Sequence, residues 1–398
     1  MSGGAQGPRA TAVHVITLLE WGGAQENTLH TVGSLDPERF DRVLACGRGG
    51  MLDARALAIP SVRVRFVDDL VREVRPLRDA KAFFALRAML RDEKRKAGGN
   101  PLIVHTHSSK AGILGRAAAR AAGADLVVHS IHGFGFHDGQ PFPSRALFVS
   151  AERLASRWTD AFVVVSEENV RTGERAGVLR RERCRLIRSG FDAGRFLEGS
   201  RERGRSILGI AEGEKVVGTV AVFKPQKAPL DFVETARLVS KDIPGVRFAM
   251  VGDGELRPDT ERAAAAAGLA DRFVFPGWRK EMPDILSAFD VFLLTSRWEG
   301  LPKVIPQALI AGVPVVATAA DGTKEIVDHG VDGLLAEPGD VASLSRGVID
   351  ILSGRLRLQA GAKRERLLRE FGQEGMVRAQ ERLYAELLAG KGFPGWSR

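Results

Sequence analysis

The amino-acid sequence predicts an α/β protein built from two doubly wound, Rossmann-like domains that face a central cleft. Apolar runs with the length of buried strands alternate with helical segments along the chain, which is typical of parallel sheets covered by helices. The chain has 398 residues and can bury a core in each of two domains. A polar stretch at residues 198–204 predicts a linker between them. We therefore expect domains at residues 1–195 and 205–370, with a last helix and tail at residues 371–398.

Each half contains short apolar runs that predict buried strands, and each run leads into a turn and a helical segment. Because the carboxyl ends of parallel strands gather at one edge of a sheet, we expect ligand-binding loops after these strands. In chain order the predicted strands lie at residues 12–19, 42–45, 62–66, 101–107, 125–129, 161–165 and 185–188 in the first half, and at residues 215–222, 247–251, 273–275, 291–295 and 314–318 in the second. Helices are predicted at residues 72–96, 302–312, 343–352 and 357–388.

The composition favours a protein of a reducing compartment. Apolar residues make up 44% of the chain and charged residues 27%, which is an ordinary globular balance. Cys46 and Cys184 are too few for a disulfide framework or a metal cluster. The sequence has no apolar run of about 18 residues, and its first ten residues lack the core of a signal peptide. We therefore expect a cytoplasmic protein, either free or peripheral on the inner face of the plasma membrane.

The positive charge of the chain is concentrated in its first half. Of the net charge of +9, residues 1–198 contribute +8, from 30 Lys and Arg against 22 Asp and Glu. Residues 72–96 carry 9 basic and 4 acidic side chains on an amphipathic helical pattern. Such a helix either covers the sheet with a solvated basic rim or lies on an anionic membrane. We expect no nucleic-acid partner, because no nucleic-acid-reading motif accompanies the basic residues.

The most informative stretch lies between the strands predicted at residues 291–295 and 314–318. Glu299 and Gly300 occupy the turn that follows the first of these strands. The helix that begins near Pro302 or Lys303 directs the amides of the turn, including that of Leu301, toward a ligand. Gln307 stands eight positions after Glu299, on roughly the same helical face.

This stretch resembles the donor-site signature of the family-4 retaining glycosyltransferases, which have the GT-B fold. In that family a first glutamate holds hydroxyl groups of the transferred hexose, and a second glutamate eight positions later holds the ribose of the nucleotide. Glu299 matches the first glutamate, and Gln307 stands at the position of the second. The amide of Gln307 can still donate to and accept from ribose hydroxyls. The resemblance covers nearly the whole chain, and it implies that the last helix crosses back to the first domain.

Two lysines follow the first strand of the second half. Fixed positive charge at this place would stabilise a departing diphosphate. The resemblance implies an arginine and a lysine here: Lys227 matches the lysine, while the arginine position falls on Val222, so Lys224 is its candidate replacement. It also implies that Gly252 and Gly254, in the next glycine turn, flank the nucleotide.

Three further residues of the second half are candidates for contact with the nucleotide. Trp278 and Arg279 form an aromatic and basic tip that could cover the nucleobase, although a tryptophan that caps the core fits the sequence equally well. The resemblance implies that Glu325, at the start of a predicted helix, approaches the nucleotide. The alternative is a helix-start carboxylate without a ligand.

The first half offers two candidate sites on its loops. Gly22 and Gly23 form a strand-to-helix turn, which is either a plain tight turn or, as the resemblance implies, a loop between donor and acceptor. His132 and Gly133 match a His-Gly pair whose imidazole or amide faces the donor sugar, and the alternative is a loop histidine with protein partners only. The aromatic residues that follow could contact a lipid-linked acceptor or a bilayer; they are Phe134, Phe136, Phe142 and Phe148.

The strand predicted at residues 101–107 ends in two histidines. We expect His105 and His107 to point to opposite faces of the sheet, with no third ligand near them. We therefore predict no metal site.

The sequence as a whole predicts an enzyme of nucleotide-sugar chemistry. The resemblance implies a retaining glycosyltransferase in which Glu299, His132 and Lys227 act at the transferred sugar and the diphosphate. The sequence has no Asp-x-Asp pair to bind a divalent ion, so we expect a metal-independent enzyme without a cofactor. We expect transfer of a hexose or N-acetylhexosamine to a lipid-linked or saccharide acceptor in cell-surface polysaccharide synthesis, from a UDP-sugar in preference to GDP-mannose. The alternatives are a nucleotide-sugar epimerase or a phosphorylase on the same fold, or a non-enzymatic basic module that binds membranes.

Overall fold

Both halves of the chain form parallel β-sheets covered by helices. The structure is a computed structural model, and it describes residues 7–137 and 139–396. The chain divides into two units: the first contains the described residues up to Gly190 together with those from Gln373 onward, and the second is Phe191–Gly372. The predicted fold class, with two doubly wound α/β sheets, is confirmed.

The first unit contains one sheet of seven parallel strands. The strands are β1 (Ala10–Ile16), β2 (Phe40–Cys46), β3 (Val62–Phe66), β4 (Leu102–His107), β5 (Leu126–Ile131), β6 (Ala161–Val164) and β7 (Cys184–Leu186). Their order across the sheet is β3-β2-β1-β4-β5-β6-β7, so the direction of winding reverses between β1 and β4. The register places His14 of β1 beside His105 of β4.

The second unit contains one sheet of six parallel strands. The strands are β8 (Val216–Val220), β9 (Arg247–Val251), β10 (Phe273–Gly277), β11 (Val291–Leu294), β12 (Val315–Thr318) and β13 (Gly333–Ala336). Their order is β10-β9-β8-β11-β12-β13, and the winding reverses between β8 and β11. Open α/β sheets bind ligands at the carboxyl ends of strands beside such a reversal.

Helices connect the strands and cover the sheets. In chain order they are α1 (Gly23–Ser34), α2 (Asp53–Leu57), α3 (Pro76–Lys96), α4 (Ser109–Ala122), α5 (Phe142–Ser156), α6 (Glu167–Arg175), α7 (Arg201–Leu208), α8 (Pro229–Asp242), α9 (Arg257–Ala266), α10 (Met282–Ser287), α11 (Val304–Ile310), α12 (Val341–Leu352), α13 (Arg364–Glu370) and α14 (Gln373–Gly390). The single helix predicted at residues 357–388 is therefore wrong, because the chain breaks into two helices around Gly372. Within residues 7–137 and 139–396, no helix combines the length and apolar character needed to span a bilayer.

Most strands bury side chains on both sides, which is typical of parallel sheets with helices on both faces. In β1, the side chains of Val13 and Val15 belong to a core that includes Leu86 of α3. Ala12, which points to the other face, belongs to a core that includes Tyr384 of α14. Helix α14 therefore packs on the same face of the sheet as the even-numbered residues of β1.

Candidate active site

Lys227 and Glu299 meet at the winding reversal of the second sheet. The ammonium of Lys227 donates a hydrogen bond to Oε1 of Glu299 and forms an ion pair with it. The hydroxyl of Ser296 donates to the same oxygen over 2.6 Å. The backbone N–H of Glu299 donates to Oδ2 of Asp321 over 2.7 Å. The loops that follow β8 and β11 therefore meet at the carboxylate of Glu299, and the loop that follows β12 holds its backbone N–H.

Hydrogen bonds between these loops hold the pair in place. Oγ1 of Thr295 donates to the carbonyl oxygens of Lys227 and Ala228, each over 3.0 Å. Nε2 of Gln226 donates to the carbonyl oxygen of Trp298 over 2.9 Å. Ala228 has a φ of 44°, in the left-handed region that costs a residue with a Cβ roughly 1–2 kcal/mol. The surrounding bonds hold the backbone in this strained conformation, as is common at functional sites.

The pair offers both a cation and a carboxylate to a ligand. The exposed fraction is 17% for the Lys227 side chain and 6% for that of Glu299, so both groups are largely shielded from water. An ammonium has three N–H donors, and the ion pair uses one of them. Lys227 and Ser296 both donate to Oε1 of Glu299. Among the described residues, Oε2 is therefore the oxygen of this carboxylate that is left to accept from ligand hydroxyls. This arrangement suits a ligand that carries both an anionic and a hydroxylated part.

Gly252 and Gly254 pack their backbone against the loop that follows β8. A Cβ at Gly252 would lie 2.0 Å from the carbonyl oxygen of Ala221, and one at Gly254 would lie 2.5 Å from that of Phe223. Gly252 also has a φ of 128°, which disfavours any residue with a side chain. The two backbone segments lie so close together that only glycine fits at both positions. The turn of Gly252 and Gly254 therefore lies next to the loop that contains Lys224.

Trp278 and Arg279 follow β10 at the edge of the second sheet. The exposed fraction of Trp278 is 39%, so its side chain is partly accessible to a ligand. Strand β10 is three positions away from β11 in the sheet, which corresponds to roughly 14 Å between the axes of the two strands. The aromatic tip and the Lys227 pair therefore follow different strands at the same end of the parallel sheet.

The remaining candidates of the second unit lie on the segments around α11 and after β12. Gly300 and Leu301 are buried in the turn before α11, and Gln307 is partly exposed on the helix itself. Glu325 was expected at the start of a helix, but it is the last residue of a 3-10 turn, Asp321–Glu325. The predicted helix is absent at this place because the five-residue turn between β12 and β13 does not continue into an α-helix.

The candidates of the first unit lie on loops after β1 and β5. Gly22 and Gly23 form the turn into α1, with Gly22 in extended backbone at a φ of −179°, so this turn requires no left-handed conformation. His132 follows β5; its Nε2 lies 3.4 Å from Nδ1 of His107, and its Nδ1 lies 3.4 Å from Oγ of Ser189. The imidazole of His132 is thus anchored through both ring nitrogens.

The expectation that His105 and His107 point to opposite faces is wrong. Their rings stack with centroids 4.4 Å apart, because residues two apart in a strand share a face of the sheet. The expectation of no third histidine nearby is also wrong, since Nδ1 of His14 lies 3.0 Å from Nε2 of His107. Ring nitrogens of these three buried histidines lie within 4.8 Å of one another, a spacing at which three imidazoles could bind a metal ion.

Sequence reasoning missed His14 and Tyr384 as members of this cluster. Oη of Tyr384 is hydrogen bonded to Nδ1 of His105 over 2.5 Å and lies 3.4 Å from Nε2 of His14. The position of His14 in the first strand could have indicated this contact. In a doubly wound sheet the first strand lies next to the strand that contains His105. Tyr384 is the only tyrosine of the chain, and its position in α14 gives no sequence signal for this contact.

The aromatic loop expected to contact lipid is largely packed into the protein. Phe136 is buried, and its ring centroid lies 4.7 Å from that of Phe134. Phe134 and Phe148 pack against a core cluster that contains Phe136. Only Phe142 among the four is exposed, at 80%, and it begins α5. The loop as a whole is therefore not an open apolar surface.

Comparisons with known proteins agree with this geometry. Residues 22–190 match the family described as "Glycosyl transferase 4-like domain", and residues 214–354 match "Glycosyl transferases group 1". The chain is 31% identical over 384 residues to the UDP-Gal:alpha-D-GlcNAc-diphosphoundecaprenol alpha-1,3-galactosyltransferase of Escherichia coli, which covers 95% of this chain and 97% of that protein. This chain belongs to the family-4, group 1 glycosyltransferases. The resemblance inferred from the donor-site stretch is confirmed.

Solved structures similar to this glycosyltransferase have the GT-B fold. Anabaena Alr3699/HepE, crystallised in complex with UDP, matches with a TM-score of 0.75 and 21% identity over 96% of this chain and all of that one. Sucrose-phosphate synthase from Thermosynechococcus elongatus matches with a TM-score of 0.79 and 20% identity at the same coverage. At these identities the similarity concerns the fold, which is the GT-B fold expected for the family.

Proposed function

We propose that this glycosyltransferase moves a hexose, or an N-acetylhexosamine, from a UDP-sugar to a lipid-linked saccharide in the synthesis of a cell-surface polysaccharide. The observation that carries the proposal is the 31% identity, over 95% of the chain, to an enzyme whose name states UDP-galactose as donor and GlcNAc-diphosphoundecaprenol as acceptor. The complex of HepE with UDP and glucose supports a UDP-sugar donor. UDP-galactose is therefore the first donor to test, with GDP-mannose as the other candidate class.

The proposed reaction proceeds with retention and without a metal ion. The bond between C1 of the sugar and the diphosphate oxygen breaks, and the acceptor hydroxyl oxygen bonds to C1 on the same face. The proton of that hydroxyl passes to the departing diphosphate. Lys227 stabilises the negative charge that develops on the diphosphate, which is the task that a metal ion performs in other transferases. Oε2 of Glu299 accepts hydrogen bonds from the hydroxyls of the hexose, and His132 with Gly133 faces the sugar.

A donor and acceptor panel tests this function. The protein is incubated with GlcNAc-diphospholipid and, in turn, UDP-galactose, UDP-glucose, UDP-GlcNAc and GDP-mannose, with EDTA present. We expect one UDP-sugar to give an acceptor one sugar heavier, one UDP per product, and an α-linkage by NMR. An epimerase would convert the UDP-sugar without acceptor, and a phosphorylase would need inorganic phosphate. A non-enzymatic module would leave every mixture unchanged, and this result would overturn the proposal.

The exposed face of α3 supports a docking site for an anionic bilayer, the surface on which a lipid-linked acceptor lies. Leu77 and Phe84 are seven positions apart on the helix and both are exposed, Phe84 by 61%. Lys81 and Arg91 are exposed on the same face. Apolar side chains flanked by basic ones favour binding at the headgroup region of anionic membranes.

We expect Phe84→Glu to weaken binding to phosphatidylglycerol vesicles by about tenfold, because it removes an inserted ring and adds a negative charge. Vesicle sedimentation at several salt concentrations measures the effect. Leu57→Glu is the matched control, because Leu57 lies in α2 of the same unit and is 62% exposed. Equal losses in both variants, or preferential binding of the wild type to duplex DNA, would contradict docking through α3.

A further inference from the structure

A continuous row of hydrogen-bonded side chains runs through the first unit. Ser189 is bonded to His132, His132 to His107, and His107 to His14. His14 is bonded to Tyr384, Tyr384 to His105, and His105 to Ser130. We call this row the histidine network; its members, in order, are Ser189, His132, His107, His14, Tyr384, His105 and Ser130.

The inner part of the histidine network is dry. His14, His105 and His107 are fully buried, and Ser130 and Tyr384 are at most 2% exposed. Buried polar groups are costly unless they are hydrogen bonded. Among the described residues, no side-chain nitrogen or oxygen of the network is buried without a partner. The network is therefore a fully satisfied polar row inside an apolar core, rather than a loose cluster of histidines.

Burial favours the neutral form of the three inner imidazoles, His14, His105 and His107. Burial lowers the pKa of His14 to about 3, and burial together with the neighbouring imidazoles lowers the pKa values of His105 and His107 well below the usual range. A neutral imidazole with two hydrogen-bonded nitrogens donates through one and accepts through the other. The choice of tautomer in one ring therefore constrains its neighbours.

At every contact between two rings of the network, Nε2 of one imidazole faces Nδ1 of the next. Nε2 of His132 faces Nδ1 of His107, and Nε2 of His107 faces Nδ1 of His14. Tyr384 continues the pattern, because its hydroxyl lies between Nε2 of His14 and Nδ1 of His105. A tyrosine hydroxyl in this position donates to one ring and accepts from the other. Only two arrangements satisfy every bond: all four imidazoles carry the proton on Nε2, or all four carry it on Nδ1.

We propose that the histidine network holds its four imidazoles in one common neutral tautomer and thereby fixes which ring nitrogen of His132 carries the proton. His107, His14, Tyr384 and His105 act as positioning residues, through His132, on the turn that contains Gly133. The consequence for catalysis depends on the proposed function, in which this turn faces the donor sugar. The tautomer itself depends only on the fold.

Long-range proton–nitrogen NMR correlation of protein with 15N-labelled histidine tests the proposal, because it distinguishes the two neutral tautomers and the cation. We expect His14, His105, His107 and His132 to show the same tautomer. His129 is an internal reference, because its Nδ1 lies 3.1 Å from the carbonyl oxygen of Thr106, outside the network. A mixture of tautomers within the network, or a cationic ring at neutral pH, would overturn the proposal.

Tyr384→Phe interrupts the network two rings away from His132. We expect the nitrogen signals of His132 to shift or to show both tautomers, while those of His129 stay unchanged. Ser130→Ala, at the end of the network, is the second variant and is expected to act in the same direction if Tyr384→Phe does not fold. Unchanged His132 signals in a folded variant would contradict the coupling. Addition of stoichiometric zinc is a further test. If the signals of His14, His105 and His107 change to those of metal-bound imidazoles, these residues form a metal site and the proposed network is wrong.

The kinetic readout is separate from the spectroscopic one. If the proposed function holds, Tyr384→Phe is expected to lower kcat roughly tenfold with little change in the KM for the donor, since the lost hydrogen bond positions His132 without contacting the nucleotide. The NMR experiment uses neither donor nor acceptor. A common tautomer without transferase activity would therefore reject the proposed function alone, and activity with mixed tautomers would reject the network alone.

Discussion

Replacing Lys227 with alanine is expected to lower kcat by about two to three orders of magnitude, the usual effect of removing one group that stabilises developing negative charge. The ammonium is only 17% exposed and is held by the loops after β8 and β11, so its charge acts in a shielded site. Water would replace it only partly, because a reorienting solvent stabilises a departing diphosphate less well than a fixed cation. Steady-state turnover of the donor identified by the panel measures the loss.

Two comparisons separate this effect from a loss of folding. Lys241→Ala removes the same charge from an exposed position on α8 and should leave kcat unchanged. Lys227→Ala also leaves Glu299 without its cation, which destabilises a buried carboxylate. The double variant Lys227→Ala/Glu299→Gln removes that carboxylate charge, and we expect it to regain thermal stability but not activity. Recovery of activity in the double variant would show that Lys227 serves only to neutralise Glu299.

The positions of Lys227 and Glu299 after two strands of one parallel sheet could be predicted from the sequence, because the elements around them are local. The two apolar runs around Glu299 and the turn between them are contiguous in the chain, and the doubly wound pattern places the loop of Lys227 beside them. The direct contact between the two side chains was not predicted, since 72 residues separate them. Loop conformation decides that contact, including the strained backbone at Ala228, for which the sequence has no periodic signal.

The histidine network shows where prediction from the sequence ended. His105 and His107 were correctly placed on one strand, but their faces were assigned wrongly although a period of two requires a shared face. The partners from other elements depend on tertiary packing: His105 and Tyr384 lie 279 residues apart and meet only because α14 packs on the first sheet. A side chain on a late helix does not reveal its partner on an early strand by pattern alone. The error at Glu325 has a different cause, because the short connection after β12 forms a 3-10 turn that does not continue into an α-helix.

Replacing Glu299 with glutamine is expected to separate binding of the sugar from binding of the nucleotide. The carboxylate accepts from Lys227 and Ser296 through Oε1, and Oε2 accepts from the hexose hydroxyls in the proposed complex. Glutamine keeps the shape but offers one accepting oxygen and an NH2 group that cannot accept. Loss of a charged hydrogen bond to the sugar corresponds to about 1.5–3 kcal/mol, or roughly a 10- to 150-fold lower kcat/KM.

The affinity for UDP alone should change little in Glu299→Gln, because UDP lacks the hexose that the carboxylate contacts. Calorimetric titration of UDP and turnover of the full donor, measured on the same preparation, give the two quantities. Gln307→Ala is the converse variant: Gln307 stands where the family holds the ribose, so its loss should weaken UDP and the UDP-sugar alike. If Glu299→Gln weakened UDP as much as the donor, the carboxylate would act by fixing Lys227 for the diphosphate and not by holding the sugar. The ratio of the two losses therefore decides which half of the donor Glu299 recognises.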